Sequence, residues 1–375
     1  MQITHDPVTD RKFFAPLHGL RGIAALFVVV SHFAANNLFL LPIPLLYGQG
    51  GVGVKIFFVL SAFLLTTHLC KDLQRSPQRA IPIFQYFIHR VFRIYPLYFF
   101  VLIGHVLLND ISITDFFNHL LLLQGWGELW AIPIEFYYYF VIPVVAVLAL
   151  YLSKGFLYLL FTIAILTTLY IGIVMPEEVF NISRIIFIPK MVPFLLGSLM
   201  ALLLSKGGYL YKKKRMMRFA PHLSLLGLGI SIIFSFIIAK RYLPIPFAPW
   251  LFVVTGLSAT GLIYSALQPN VISTVLKSRF LVFIGQISFS IYLLHVFALR
   301  LVKSFVHLPA PLLAWLLLGF CILAAYISYR LIEQPGIKTG KMIANRLPLL
   351  FNLKIASILP QLFWRPRVNH QIITK

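Results

Sequence analysis

Arg21 and His32 stand eleven residues apart at the start and in the middle of one apolar run. Eleven residues are about three helical turns, so both side chains point from one face of a helix, and a rise of 1.5 Å per residue sets them about 16 Å apart. That is too far for a hydrogen-bonded pair. It is a ruler instead: a guanidinium at the cytoplasmic surface to hold the anionic head of a long ligand, and an imidazole near mid-membrane to act as a base on its reactive end. Arg90 and Arg93 repeat the cationic half of this arrangement at i, i+3 on the cytoplasmic start of another apolar run. Two planar guanidinium forks on one face suit phosphate oxygens, which they bind in bidentate fashion. The same arginines would also orient the chain and touch lipid phosphates, and His32 would also fit as a hydrogen-bonded core histidine.

Glu135 lies inside an apolar run beside Pro133, where a carboxyl must be paired or protonated. It reads either as a catalytic group or as the partner of an intramembrane base such as Lys55. Ser288, Tyr292 and His295 fall at i, i+4, i+7, a polar stripe that faces a bundle interior, where such stripes often serve only helix packing. Gly48-Gln49-Gly50-Gly51-Val52-Gly53 matches a dinucleotide-binding fingerprint letter for letter, but no strand precedes it and a membrane span follows. It predicts a tight turn with close backbone packing. Cys70 and Cys321 have no metal-ligand spacing and form no disulfide framework, so no metal site is expected.

The elements that carry these residues must be membrane helices. Of 375 residues 60% are hydrophobic and 11% charged, with a mean hydropathy of +0.90, which excludes an ordinary soluble domain. Apolar windows of spanning length fall at 22–41, 52–69, 91–108, 129–152, 156–174, 185–204, 223–239, 247–267, 280–299 and 311–332. The expected fold is therefore an all-α integral membrane bundle of about ten transmembrane helices with both termini cytoplasmic. A formal charge of +22 would suggest nucleic acid in a soluble protein, but sidedness explains it here. With the N-terminus inside, 25 of the 32 basic residues lie on the cytoplasmic side and six on the other, with Lys55 just inside the second span. The basic run Lys212 to Arg215 then reads as a topology anchor, and no nucleic-acid partner is expected.

Residues 1–19 read as a cytoplasmic segment retained without cleavage, residues 20–335 as the membrane domain, and residues 336–375 as a basic cytoplasmic tail that partly lies on anionic lipid. Between Asn109 and Glu128 the apolar patch Phe116–Leu123 is too short to span and predicts an interfacial or re-entrant piece that could cover an external cleft.

In order along the chain, the motifs resemble those of the acyltransferase-3 family of membrane-bound O-acyltransferases. Leu17 to Leu26 followed by His32 is similar to its first-span signature of arginine, ten residues and histidine, and Arg90-x-x-Arg93 to its arginine pair. Gly51 to Phe63, containing Ser61, resembles the second-span motif, with Lys55 where the family commonly has aspartate and Ala62 where it has glycine. Trp130 to Glu135, Gly285 to His295 and Ser328 to Pro335 resemble the three later elements, so the likeness covers roughly residues 13–340. It implies transfer of an acyl group, most often acetyl, from cytoplasmic acyl-coenzyme A to a hydroxyl of a sugar or glycoconjugate of the cell-surface polysaccharide or lipopolysaccharide type. The implied setting is a bacterial cytoplasmic (inner) membrane, with acetyl-coenzyme A as donor substrate and no permanently bound cofactor. Partners would be the donor, the glycan acceptor and membrane lipids. Many relatives carry an extracytoplasmic esterase-like domain after the last span; this sequence does not, and the expectation is direct acylation by the membrane domain. In that scheme Arg21, Arg90 and Arg93 grip the donor's phosphates, the pantetheine arm runs along the first span and His32 takes the acceptor's proton or carries the acyl group, with Ser61, Glu135, Tyr292 and His295 supporting the site. The rival from another class is a polytopic transporter or flippase for a lipid-linked or small anionic substrate, which would predict an inverted hydropathy repeat that the spans do not display.

Overall fold

A computed structural model of the chain describes residues 7–41, 43–76, 78–125, 127–174, 189–205, 216–240, 242, 248–305 and 308–350. Every regular element among them is helical. The helices are α1 (Pro7–Ala35), α2 (Gly50–Arg75), α3 (Ala80–Leu107), α4 (Ile113–Leu120), α5 (Ala131–Tyr151), α6 (Lys154–Val174), α7 (Val192–Leu204), α8 (Met216–Ala239), α9 (Ala248–Ala266), α10 (Val271–Leu276), α11 (Arg279–Gln286), α12 (Ser288–Phe305), α13 (Ala310–Ser328) and α14 (Gln334–Leu350). Six of the helical runs are long and apolar enough to cross a membrane, and α11 with α12 makes a seventh if that pair, bent by 75°, is one span. This is a helical membrane protein. Three of the ten expected windows fall on the shorter apolar stretches 154–170, 192–204 and 250–266, so among the described residues length and composition alone give six or seven crossings. Glu177, Glu178, Arg184, the anchor Lys212–Arg215 and the tail beyond residue 350 lie outside the described residues.

Burial orders the bundle. In α2, 72% of the best apolar window is buried, against 17% in α8, so α2 is the central post and α8 a peripheral one. α2 packs against α1, α5, α7 and α9, while α14 lies along α3 and α13 beside α12. Small residues allow the tightest crossings. A Cβ built on Gly53 would sit 2.4 Å from the Ala24 carbonyl oxygen, and one on Gly285 would sit 1.8 Å from that of His18. Helix backbones approach this closely only where no side chain intervenes. The glycine run at 48–53 is accordingly a turn, with Gly48 at φ +81°, followed by the close α1–α2 crossing, and no nucleotide fold surrounds it.

Two local features set up the site. α4 is a capped eight-residue helix: the Ser112 hydroxyl accepts from the Asp115 N–H, and the Asp115 carboxylate accepts from the Ser112 hydroxyl and N–H, which hold that carboxyl below its usual range. The predicted apolar patch lies on α4 and the turn after it, with Phe117, Leu121 and Leu123 exposed as an interfacial piece would have them. At the other end of the chain a π turn at Tyr329–Glu333 joins α13 to α14, so the last apolar run continues as helix past residue 332. The extra residue in that turn rotates Glu333 inward, where it is 1% exposed.

Candidate active site

Two cavities adjoin in the bundle. The inner one, about 400 Å³, receives His18 and Arg21 from α1, Ser61 and His68 from α2, Arg90 and Arg93 from α3, Glu135 and Tyr139 from α5, and Ser288 and Tyr292 from α12. The arginine i, i+3 pair and Arg21, two helices apart in sequence, thus converge on one space. Among the described residues no carboxylate lies within ion-pair distance of any of the three guanidinium groups. Their charge is balanced only at longer range, by Glu135 and Glu333. Buried polar atoms that line this space, Nδ1 of His18, Nε of Arg90 and Oγ of Ser288, find no hydrogen-bond partner among the described residues. Unsatisfied buried donors around an open volume are what an anion-binding site leaves when its walls are considered alone.

Glu135 is held by its own hydrogen bonds rather than by a base. Its Oε1 accepts from Ser61 Oγ at 2.6 Å and from the Tyr139 hydroxyl at 2.7 Å. The alternative partner, Lys55, points elsewhere: its ammonium lies 4.6 Å from the centre of the Phe252 ring. That cation–π contact corrects the expected Lys55–Glu135 pairing, because Lys55 and Ser61 sit on different faces of α2 and only the latter faces α5.

His32 opens instead into the outer recess, about 1010 Å³, with Asn36, Asp110, Glu128, Arg300 and Lys303. It does not line the arginine cavity, so the ruler read from α1 has its two ends in different compartments. The boundary between them is one layer of side chains. The Tyr292 hydroxyl, in the inner cavity, donates to the backbone carbonyl of Glu128, and one turn further along α12 the His295 ring meets the His32 ring at 4.8 Å, edge to face. His295 Nδ1 lies 2.7 Å from the Tyr292 carbonyl oxygen, to which it can only donate. The polar stripe Ser288–Tyr292–His295 therefore runs from the inner cavity to the His32 ring.

Around the two cavities stand residues that spacing did not single out. His105, fully buried at the end of α3, places Nδ1 2.9 Å from Asp110 Oδ2 and Nε2 3.4 Å from Glu128 Oε1, and Arg300 also engages Asp110. A histidine in an apolar run was the available signal for His105. Glu333, which accepts from Ser290 Oγ at 2.9 Å, had a similar one as the acid closing an apolar run.

A family model described as an acyltransferase domain matches residues 15–330. At 24% identity over 377 residues the chain is similar to a Staphylococcus aureus (strain COL) protein bearing the provisional name O-acetyltransferase, covering 90% of this chain and 59% of that protein. It is also 24% identical over 370 residues to the O-acetyltransferase OatA of S. aureus strain NCTC 8325, covering 88% and 58% of the two chains. The chain thus spans about three fifths of the length of these relatives. No solved structure matches it.

Proposed function

Since the chain belongs to the acyltransferase-3 family, we propose that it is a membrane O-acetyltransferase in which the inner cavity takes the phosphates of acyl-coenzyme A and the outer recess takes a hydroxyl of a sugar or glycoconjugate. The observation that carries this reading is the convergence of Arg21, Arg90 and Arg93 on one cavity without an ion pair among the described residues, a cavity joined through the Tyr292–Glu128 hydrogen bond to the recess of His32. Three guanidinium groups with no carboxylate at ion-pair distance among the described residues are matched to a polyanionic donor. The acyl end of that donor reaches His32 only if the layer at Tyr292 and His295 opens, and the pantetheine arm is the slender, flexible part that a narrow opening admits. There the neutral imidazole takes the acceptor's proton as the hydroxyl oxygen attacks the thioester carbonyl carbon. The Glu135 carboxylate, fixed by Ser61 and Tyr139, supports Arg21 and Arg90 at longer range.

Ten crossings with both termini cytoplasmic in a bacterial inner membrane put the arginines on the side where acyl-coenzyme A is made, and the basic-residue asymmetry supports that orientation. The test is transfer of radiolabelled acetyl from acetyl-coenzyme A to membrane glycan by sealed vesicles, comparing wild type with His32→Ala. The reading expects label in the glycan for wild type only; equal labelling would sink it. Sidedness is checked in a Cys70→Ser background: a cysteine at Arg75 should react with an impermeant thiol reagent only from the cytoplasm and one at the exposed Thr114 only from outside.

A further inference from the structure

We propose that Glu128, which stands beside His105 on the recess that His32 lines, is the carboxylate that stabilises the imidazolium form of His32 while the acceptor's proton rests there. This deepens the reading of His32 as base and rests on it. Glu128 and His32 line the same recess, and of the carboxylates around it Glu128 is the one whose charge acts on both His32 and His295. Glu128 is 7% exposed, and its Oε1 makes no hydrogen bond among the described residues. His105 from α3 stands 3.4 Å from Oε1, Asp110 holds the far side of that imidazole at 2.9 Å, Arg300 from α12 holds Asp110, and the Tyr292 hydroxyl holds Glu128's own carbonyl.

His295 cannot do this work. With Nδ1–H given to the Tyr292 carbonyl, a neutral His295 offers His32 only the lone pair of Nε2, which makes no hydrogen bond among the described residues. That lone pair can orient the His32 ring but supplies no net negative charge, whereas a buried carboxylate at a fixed place supplies both. Burying a carboxylate costs several kcal/mol unless it is paired, and one whose Oε1 has no hydrogen-bond partner among the described residues needs a use.

The step balances without a further reactant. The acceptor hydroxyl oxygen bonds to the acyl carbon, the carbon–sulfur bond breaks, and the hydroxyl proton passes to His32 and then to the leaving thiolate as free thiol. Glu128 holds no proton at any stage. The groups that face it are His32 from α1, His105 from α3, Asp110 from the following turn, His119 from α4, and Tyr292, His295 and Arg300 from α12. It is a positioning residue.

Vesicles supplied with radiolabelled acetyl-coenzyme A provide the test. Glu128→Gln should lower kcat at least about tenfold with KM for the donor unchanged, since a preorganised charge is lost and the arginines are not touched. Without the carboxylate the imidazolium is less favoured, so the acidic limb of the pH–rate profile should move to lower pH by about one unit or less. Glu128→Asp should recover part of both. Asp110→Asn, which frees one side of His105 and leaves Glu128 in place, should give a smaller shift of the same sign and stands in if Glu128→Gln fails to fold. A wild-type profile in Glu128→Gln, or a fall in rate with no movement of the acidic limb, overturns the inference while a dead His32→Ala keeps the base reading. If wild-type vesicles transfer no label, or His32→Ala transfers normally, the base reading falls and this inference falls with it.

Discussion

The inner cavity gathers three guanidinium groups and leaves them without ion pairs among the described residues, whereas beside the outer recess Arg300, Asp110, His105 and Glu128 stand in one chain of contacts. Unpaired charge at a protein wall marks a place completed by a ligand of opposite sign, and paired charge marks a place already held rigid. The contrast separates two tasks: holding a polyanion on one side of the bundle, and fixing a base on the other. α1 belongs to both, with Arg21 at its middle and His32 near its C-terminal end, and so does α12, with Tyr292 in the inner cavity and Leu294 in the outer recess. A change to how these helices cross should therefore damage both compartments, while a change within one should leave the other intact.

The largest effect is expected at that crossing. Gly285→Val places side-chain carbon where the His18 carbonyl now sits, 1.8 Å from the Cβ position, and α1 must move away from α11. Overpacking of a tight contact costs about 1–3 kcal/mol and here displaces backbone as well. Donor binding and acyl transfer should both be lost, and the thermal unfolding midpoint in detergent should fall; a variant that keeps both functions would show that the crossing does not align the two sites.

Next in size is His32→Ala. Removal of a general base costs about 10²–10⁴-fold in rate. Binding of acetyl-coenzyme A, measured by calorimetry on purified protein, should stay within a factor of about two or three of wild type, because His32 does not line the cavity that holds the arginines. Loss of binding together with loss of rate would mean that the two compartments are one.

Arg90→Ala and Arg93→Ala should give the mirror result. Each removes hydrogen bonds to a charged ligand worth about 1.5–3 kcal/mol, so KM for the donor should rise about 10- to 100-fold while kcat changes little. Arg93→Lys should recover only part, since an ammonium keeps the charge and loses the fork. A fall in kcat with KM unchanged would move the arginines from binding to chemistry.

Much of this division was legible before any coordinates. The eleven-residue interval between Arg21 and His32 and the three-residue interval between Arg90 and Arg93 are properties of a single helix, and helical periodicity reads them directly. What periodicity does not contain is which face of one helix meets which face of another. Glu135 could be seen to need a partner, but Ser61, 74 residues away, and Tyr139 became its partners through the α2–α5 packing, and Lys55 did not. For the same reason the ruler on α1 gave the distance between its ends and not the layer at Tyr292 that parts them. His105 and Glu128 were hidden in the same way: Asp110 and Glu128 stand on either side of α4, and no helical period says that both return to one imidazole. The bend between α11 and α12 and the π turn before α14 interrupt apolar runs that composition presents as continuous.

The smallest effect should come from Ser61→Ala, and it sharpens the contrast at its finest point. Ser61 Oγ donates to Glu135 Oε1 at 2.6 Å, and the Tyr139 hydroxyl donates to the same oxygen at 2.7 Å, so the variant leaves the carboxylate with one of two donors. Losing one such bond costs about 1–3 kcal/mol at most, and the remaining tyrosine keeps the side chain close to its place. Because Glu135 acts on Arg21 and Arg90 only through space, a small drift of the carboxylate loosens the arginines slightly and does not reach His32. KM for acetyl-coenzyme A should rise about two- to fivefold with kcat and the pH–rate profile unchanged. Tyr139→Phe should do about as much, since it keeps the ring packed on Tyr86 and Phe136 and likewise removes one of the two donors. If Ser61→Ala moved the pH–rate profile, Glu135 would be coupled to the base, and the separation of the two compartments would fail where the layer between them is thinnest.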